Sequence, residues 1–238
     1  MLTVIISRSG TANDSDRAVP GPRSIAPIAI TVSLRSRDKK PATFGAGIRR
    51  RSYERAQNTA FSVNFTSGLL VAAKNDETHR ALAAQLSGHH IRREYRAIAV
   101  GSFAEDTGTV DLPIGRHPTD RKRMAVTDRG HTRCAVTHYR VLERFPGFSY
   151  LSLELETGRT HQIRVHMSHL GHPLIGDTVY GGGHTPFEKK HASLLSGQCL
   201  HAVSLTFTHP KTGKEVTFTC PLPDDFEKLL AILRTLAN

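Results

Sequence analysis

The chain predicts an α+β fold built on a mixed, mainly antiparallel sheet with flanking helices, and three observations carry that reading. Strand patterns follow one another with few helices between them. Helical spacing with acids early and a stop signal late occurs in only a few places. Near the end, two strand patterns are joined by the short turn "KTGK", as in a hairpin.

The elements can be justified in order. From Gly68, "GLLVAAK" reads as a buried strand. "NDETHRALAAQLSG" reads as a helix, with Asn75 or Asp76 as N-cap, acids in its first turn and Gly88 beyond its end. "EYRAIAVG" returns as a strand that sets Tyr95, Ala97 and Ala99 on one face and Arg96 and Ile98 on the other. "GTVDLPI", "RMAVT" and "CAVTHYRVLERF" have strand composition, and in "SYLSLELE" Leu151, Leu153 and Leu155 alternate with Ser152, Glu154 and Glu156. "CLHAVSLTFTHP" and "KEVTFTCPLP" form the hairpin arms. "DDFEKLLAILRTL" reads as a last helix, with acids early and Arg234 late as the helix dipole favours. No internal repeat interrupts this order.

Composition divides the chain. The first 60 of its 238 residues hold none of the fourteen histidines, and their eleven basic against four acidic residues supply seven of the eleven net positive charges. They are rich in Ser, Arg, Pro and Ala, and only "IAPIAITVSL" has the apolar density of a strand. Residues 1–60 therefore read as a basic leader and residues 61–238 as a folded domain. A net charge of +11 points to a polyanionic partner, nucleic acid before membrane surface. Cys134, Cys199 and Cys220 lie too far apart for a CxxC zinc pair or a disulfide framework, which fits a reducing compartment such as the cytoplasm. No apolar run reaches membrane-spanning length, and oligomeric state leaves no mark on the sequence.

One stretch concentrates the cations. In "ELETGRTHQIRVHMSHLGHPLIGD" the chain turns at Thr157-Gly158, and Thr160 is placed to cap a helix whose Ile163, Met167 and Leu170 form an apolar face. Gln162, His166 and His169 fall on a second face, with Arg164 beside them and Arg159 just before the helix. A helix start reinforced by Arg159 suits phosphate or carboxylate. Three uses compete: a metal held by His161, His166, His169 and His172, a merely solvated polar face, or a partner that is nucleic acid or an acidic catalytic residue. The metal reading lacks HExxH and any acidic or cysteine ligand at helical spacing.

These residues match a family. The stretch just quoted, with "TSGLLVAAKN", "REYRAIAVG", "AVTHYRVLE" and "CLHAVSLTFTHPKTGKEVTFTCPLPDDF", closely resembles the RluA-type RNA pseudouridine synthases, collinearly from about Thr66 to about Leu230. The resemblance implies the family's catalytic fold with a central RNA cleft, and uridine in RNA, ribosomal before transfer RNA, as substrate. It implies no metal or organic cofactor. Tyr95 matches the pocket tyrosine, and Arg164 matches the arginine that pairs with the catalytic aspartate. Arg159 is the second arginine of that motif, suited to RNA phosphate, with His161 and Gln162 beside it as substrate contacts. Leu174 looks like the aliphatic residue beneath the pocket. Arg116, Arg121, Lys122, Arg123, Arg129 and Arg133 fall in the loop that embraces the RNA stem, where phosphate contacts give affinity more than sequence reading.

The sequence departs from the family at one place. The family's aspartate sits in "HRLD" just before "TSGLL", and the equivalent position here is Val63, preceded by Ala60, Phe61 and Ser62; a one-residue gap would offer Asn64. The expectation is therefore that part of the domain's N-terminal region is missing and that Arg164 has lost its acid and turns to solvent or to Glu156. Whether the chain is an active isomerase or a catalytically silent RNA-binding protein on the same fold stays open on the sequence.

Overall fold

The computed structural model describes residues 2–7, 66–73, 75–120 and 122–237. In chain order these form β1 (Leu2–Ser7), β2 (Ser67–Ala73), α1 (Asp76–Ser87), β3 (Arg92–Val100), β4 (Thr107–Asp111), β5 (Ile114–Arg116), β6 (Met124–Val126), β7 (Val136–Phe145) and β8 (Phe148–Leu155). Then come α2 (Gln162–His169), α3 (Pro186–Lys190), β9 (Leu200–Thr208), β10 (Glu215–Thr219) and α4 (Asp224–Ala237). The main sheet runs β1-β2-β9-β3-β8-β7-β4, and β10 pairs with β9 beside this path. β5 and β6 form a separate two-stranded hairpin. Among the described residues only β2 and β9 run parallel, so the fold is α+β with a mixed, mainly antiparallel sheet.

The local signals act as their chemistry dictates. The Asn75 side chain accepts from the Thr78 N–H at 2.8 Å and starts α1, and Gly88 closes it through the Ala84 carbonyl. In β3 the side chains alternate between two cores. Ala97 and Ala99, with Tyr95 against them, meet Leu151, Leu153, Ile163 and Met167. On the other side Ile98 meets Tyr150 and the α4 residues Phe226, Leu229 and Leu233. The central strand is thus buried on both faces, with α2 on one and α4 on the other.

Two features differ from the sequence reading. Leu2–Ser7, within the leader and outside the one apolar segment noted there, pairs with β2 from Leu2↔Ala73 to Ser7↔Gly68. Six residues carry too little pattern of their own, and the exposed edge of β2 supplies the partner that fixes them as a strand. α2, moreover, does not begin on a Thr160 cap. His161 is the N-cap, in the left-handed region at φ 57° and without a side-chain cap bond. The rest of the leader, with "IAPIAITVSL", lies outside the described residues.

The parallel junction of β2 and β9 seats the start of β2 against the start of β9. Gly68 lies opposite Ala202 at φ 102°, and a Cβ there would collide with the Ala202 carbonyl. Beside it Ser67 Oγ shares a 2.7 Å hydrogen bond with His201 Nδ1, and His201 Nε2 lies 3.2 Å from Cys220 Sγ. Burial holds His201 well below the usual imidazole range, at about 4, so it is neutral in this junction.

Candidate active-site cleft

A cleft of about 300 Å³ opens where the start of β2, the start of β3, the end of β8 and the start of α2 converge. Its walls include Thr66, Ser67, Leu69, Arg93, Tyr95, Leu155, Arg159, His161, Gln162, Ile163, Arg164, Gln198 and Leu200. Three guanidiniums therefore border it, and no Asp or Glu is among its described lining residues.

Tyr95 stands in the cleft next to a β-bulge, where the pairing of β3 with β9 shifts register between Glu94 and Tyr95. Burial raises its phenol pKa above the ordinary value, and the neighbouring Arg93 only partly opposes this. The ring is thus a neutral hydrogen-bonding surface at pH 7 rather than a phenolate base.

Arg164 overturns the expectation set for it. It is buried, and its Nε and Nη2 donate to the two carboxylate oxygens of Asp177 at 2.6 and 2.7 Å. Asp177 Oδ1 also accepts from the Val179 and Tyr180 N–H groups. The guanidinium has a carboxylate in two-point geometry, supplied by the "GD" turn after α2, and turns neither to solvent nor to Glu156. Glu156 instead pairs with His138 at 2.6 Å. The acidic loop is itself held by Glu188, whose carboxylate accepts from the Gly176, Gly183 and Thr185 N–H groups.

The second face of α2 is solvated only at its end. Gln162 is 2% exposed; its amide donates to the Val136 carbonyl and Thr137 Oγ1 and accepts from Thr157 Oγ1 and the Arg159 N–H. With its polar groups engaged, Gln162 braces the Thr157–Thr160 turn at the rim of the cleft. His166 is fully buried between Thr137 and the Leu112 carbonyl, and burial lowers its pKa. His169 is exposed, and so is Leu170, which had been expected on the apolar face. Among the described residues no group of three or more His, Cys, Asp or Glu is placed to hold a metal ion.

His161 Nδ1 shares a 2.8 Å bond with Tyr180 Oη, which also accepts from the Met124 N–H at 2.9 Å. Burial first, and then the Arg164 charge, lowers the His161 pKa. The Tyr180 ring carries Arg164 at 4.8 Å and Arg123 at 5.3 Å from its centroid. This ring joins the cleft to the β5–β6 hairpin. Arg116 and Lys122 are exposed on that hairpin, Arg123 is half-buried against Tyr180, and Arg133 is exposed next to it, its backbone bridged to Ile114. Arg121 and Val63 lie outside the described residues. Leu174 is fully buried in the core, its backbone bridged to Ala99, and is not among the lining residues of the cleft, whose aliphatic wall comes from Leu69, Leu70, Leu155, Ile163 and Leu200.

Sequence reasoning missed two residues. Asp177 was part of the quoted stretch, yet nothing local marks it as the partner of a residue thirteen positions earlier. Arg93 could have been found, since it lies two residues before Tyr95 on the same face of a strand.

Comparison with known proteins bears on this arrangement. Residues 64–169 match the family model described as RNA pseudouridylate synthase. The chain is 48% identical over 175 residues to ribosomal large subunit pseudouridine synthase D of Pseudomonas aeruginosa, covering 71% of this chain and 54% of the relative. The protein of the same description from Vibrio parahaemolyticus is 49% identical over 175 residues, covering 71% and 53%. The chain thus spans about half the length of these curated relatives. Among solved structures, human RNA pseudouridylate synthase domain containing 1 is 26% identical with a TM-score of 0.55, over 71% of this chain and 76% of that one. Human RNA pseudouridylate synthase domain containing 4 is 26% identical with a TM-score of 0.57, over 71% and 72%.

Proposed function

We propose a function from one premise: this chain belongs to the RluA-type RNA pseudouridine synthase family. Its cleft takes a uridine extruded from RNA and serves its conversion to pseudouridine, in which the bond from sugar C1' to base N1 breaks and C1' joins C5. Tyr95 packs against the displaced base, Arg164 orders the cleft wall, and Arg159 faces phosphate. Arg116, Lys122, Arg123 and Arg133, joined by Arg121, follow the backbone of the flanking stem by charge and shape. Extrusion of a base costs a few kcal/mol, which the apolar wall and the neutral phenol help to offset. The names of the relatives favour ribosomal RNA over transfer RNA, and three cysteines outside any disulfide fit the cytoplasm. Residues 61–238, with Leu2–Ser7 added to their sheet as β1, act as the catalytic domain, and the rest of the first 60 residues as a basic leader.

The observation that carries this reading is the convergence of Tyr95, Arg164 and Arg159 on one cleft in a chain of this family. Incubation with ribosomal RNA tritiated at uridine C5 tests it, because isomerisation releases tritium to water. A second reading, an RNA-binding protein that does not isomerise, is favoured by the lack of any carboxylate among the described lining residues and by Val63 at the family's aspartate position. Either direct attack on C1' or proton removal from C2' requires such a group. Salt-sensitive RNA binding without tritium release selects the second reading.

A further inference from the structure

Arg93 and Arg159 share the cleft in an unusual electrostatic state. One terminal nitrogen of Arg93, Nη2, donates to the Thr157 carbonyl at 3.1 Å and toward the Leu155 carbonyl at 3.4 Å. Its Nε–H is buried and has no acceptor among the described residues. A buried charged donor left unmatched is costly and calls for an explanation. Arg159 turns its Nε to the Cys134 carbonyl at 2.8 Å, and its charge is close enough to add to burial in lowering the Arg93 pKa. The carboxylates nearby are engaged elsewhere: Asp177 with Arg164, Glu94 with Arg96 and Glu156 with His138. Neither Arg93 nor Arg159 pairs with an acid among the described residues. Gly158 lets the chain turn directly over Arg93, since a side chain there would press on Nη1 at 2.5 Å.

We propose that Arg93 and Arg159 form a phosphate seat in the cleft, able to bind a phosphate group without help from the β5–β6 hairpin. Two planar guanidiniums on one side of a cavity, neither paired with an acid among the described residues, match the several acceptor oxygens of a tetrahedral anion. In naming the phosphodiester of RNA as its natural ligand, the seat rests on the RNA reading above; free phosphate is the other source of the same chemistry.

The test uses the full chain and the arginine Nε–H signals in nitrogen-15 NMR. Inorganic phosphate and the dinucleotide UpU are titrated separately, with ionic strength held constant by sodium chloride. The Arg93 Nε–H resonance is expected to shift and saturate with both ligands, and Arg93→Gln or Arg159→Gln to weaken binding about tenfold, the scale of one charge-assisted contact. Lys228→Gln, on the exposed side of α4, is expected to leave the affinity unchanged. Saturation by phosphate with no response to UpU supports the seat and assigns it to free phosphate. An unmoved Arg93 signal in the wild-type protein overturns the seat, as does a response that survives both arginine substitutions. Ribosomal RNA binding separates the two ideas: RNA bound with Arg93 silent leaves the function standing and removes the seat, while phosphate bound and RNA refused does the reverse.

Discussion

Arg164 and Arg93 border the same cleft and are held in opposite ways. Arg164 has a buried carboxylate in two-point contact, whereas Arg93 is held by backbone carbonyls and keeps one buried donor idle. The difference separates two tasks that a sequence shows alike, as an arginine in a basic stretch. A guanidinium closed by its own chain is part of the framework, and one left open is available to a ligand. It also removes a reason to expect instability here. The absence of an aspartate at position 63 does not leave Arg164 as a bare buried charge, because Asp177 neutralises it.

Breaking the closed side should have the largest effect. Asp177→Asn leaves Arg164 buried without its counter-charge and is expected to destabilise the protein by about 3–5 kcal/mol in urea unfolding. A loss below about 1 kcal/mol would place Arg164 and Arg93 in the same class and dissolve the comparison.

Acid should loosen the framework next. His201 has a folded-state pKa of about 4 against an ordinary 6.5, so below pH 6.5 the unfolded chain binds a proton that the folded one refuses. Its contribution is complete above 6.5, falls as pH drops through that window and levels off below 4, for a total of about 3 kcal/mol. His161 and His166, also lowered by burial, change stability in the same direction. Urea unfolding at pH 7.5, 5.5 and 4 measures the slope, and His201→Gln should flatten it.

The open side should respond in binding and hardly in stability. Arg93→Gln is expected to change unfolding free energy by less than about 1 kcal/mol, since it also removes a desolvated charge. RNA affinity should fall, with the slope of log affinity against log salt shallower by roughly one unit. The smallest effect expected is none: Val63→Asp alone should release no tritium from labelled RNA, because Phe61 also stands where the family carries an arginine. Turnover by that single variant would show that the cleft needs only the carboxylate.

Much of the fold was legible because its signals are local. α1 is bounded by Asn75 and Gly88, β3 and β8 alternate with period two, and "KTGK" closes the β9–β10 hairpin. β1 was not legible, since only the edge of β2 makes those six residues a strand. The use of α2 was left open for a related reason. Its polar residues look like a solvent face by period, yet Gln162 is matched by Val136 and Thr137, His166 by Thr137 and Leu112, and Arg164 by Asp177. Long-range pairs of this kind make a polar helix burial-compatible and leave no trace in local spacing. The location of the cleft was legible from Tyr95 and the Arg159–Arg164 stretch, but which arginine it leaves open was not.

The Tyr180 ring, lodged between Arg123 and Arg164 and bonded to both Met124 and His161, makes the hairpin and the helix start one stiff jaw. Under the proposed function, a stem held at the tip of the hairpin would be presented to the cleft at a fixed angle, and reach along the RNA would be set by the length of β5 and β6 instead of by a swing at their base.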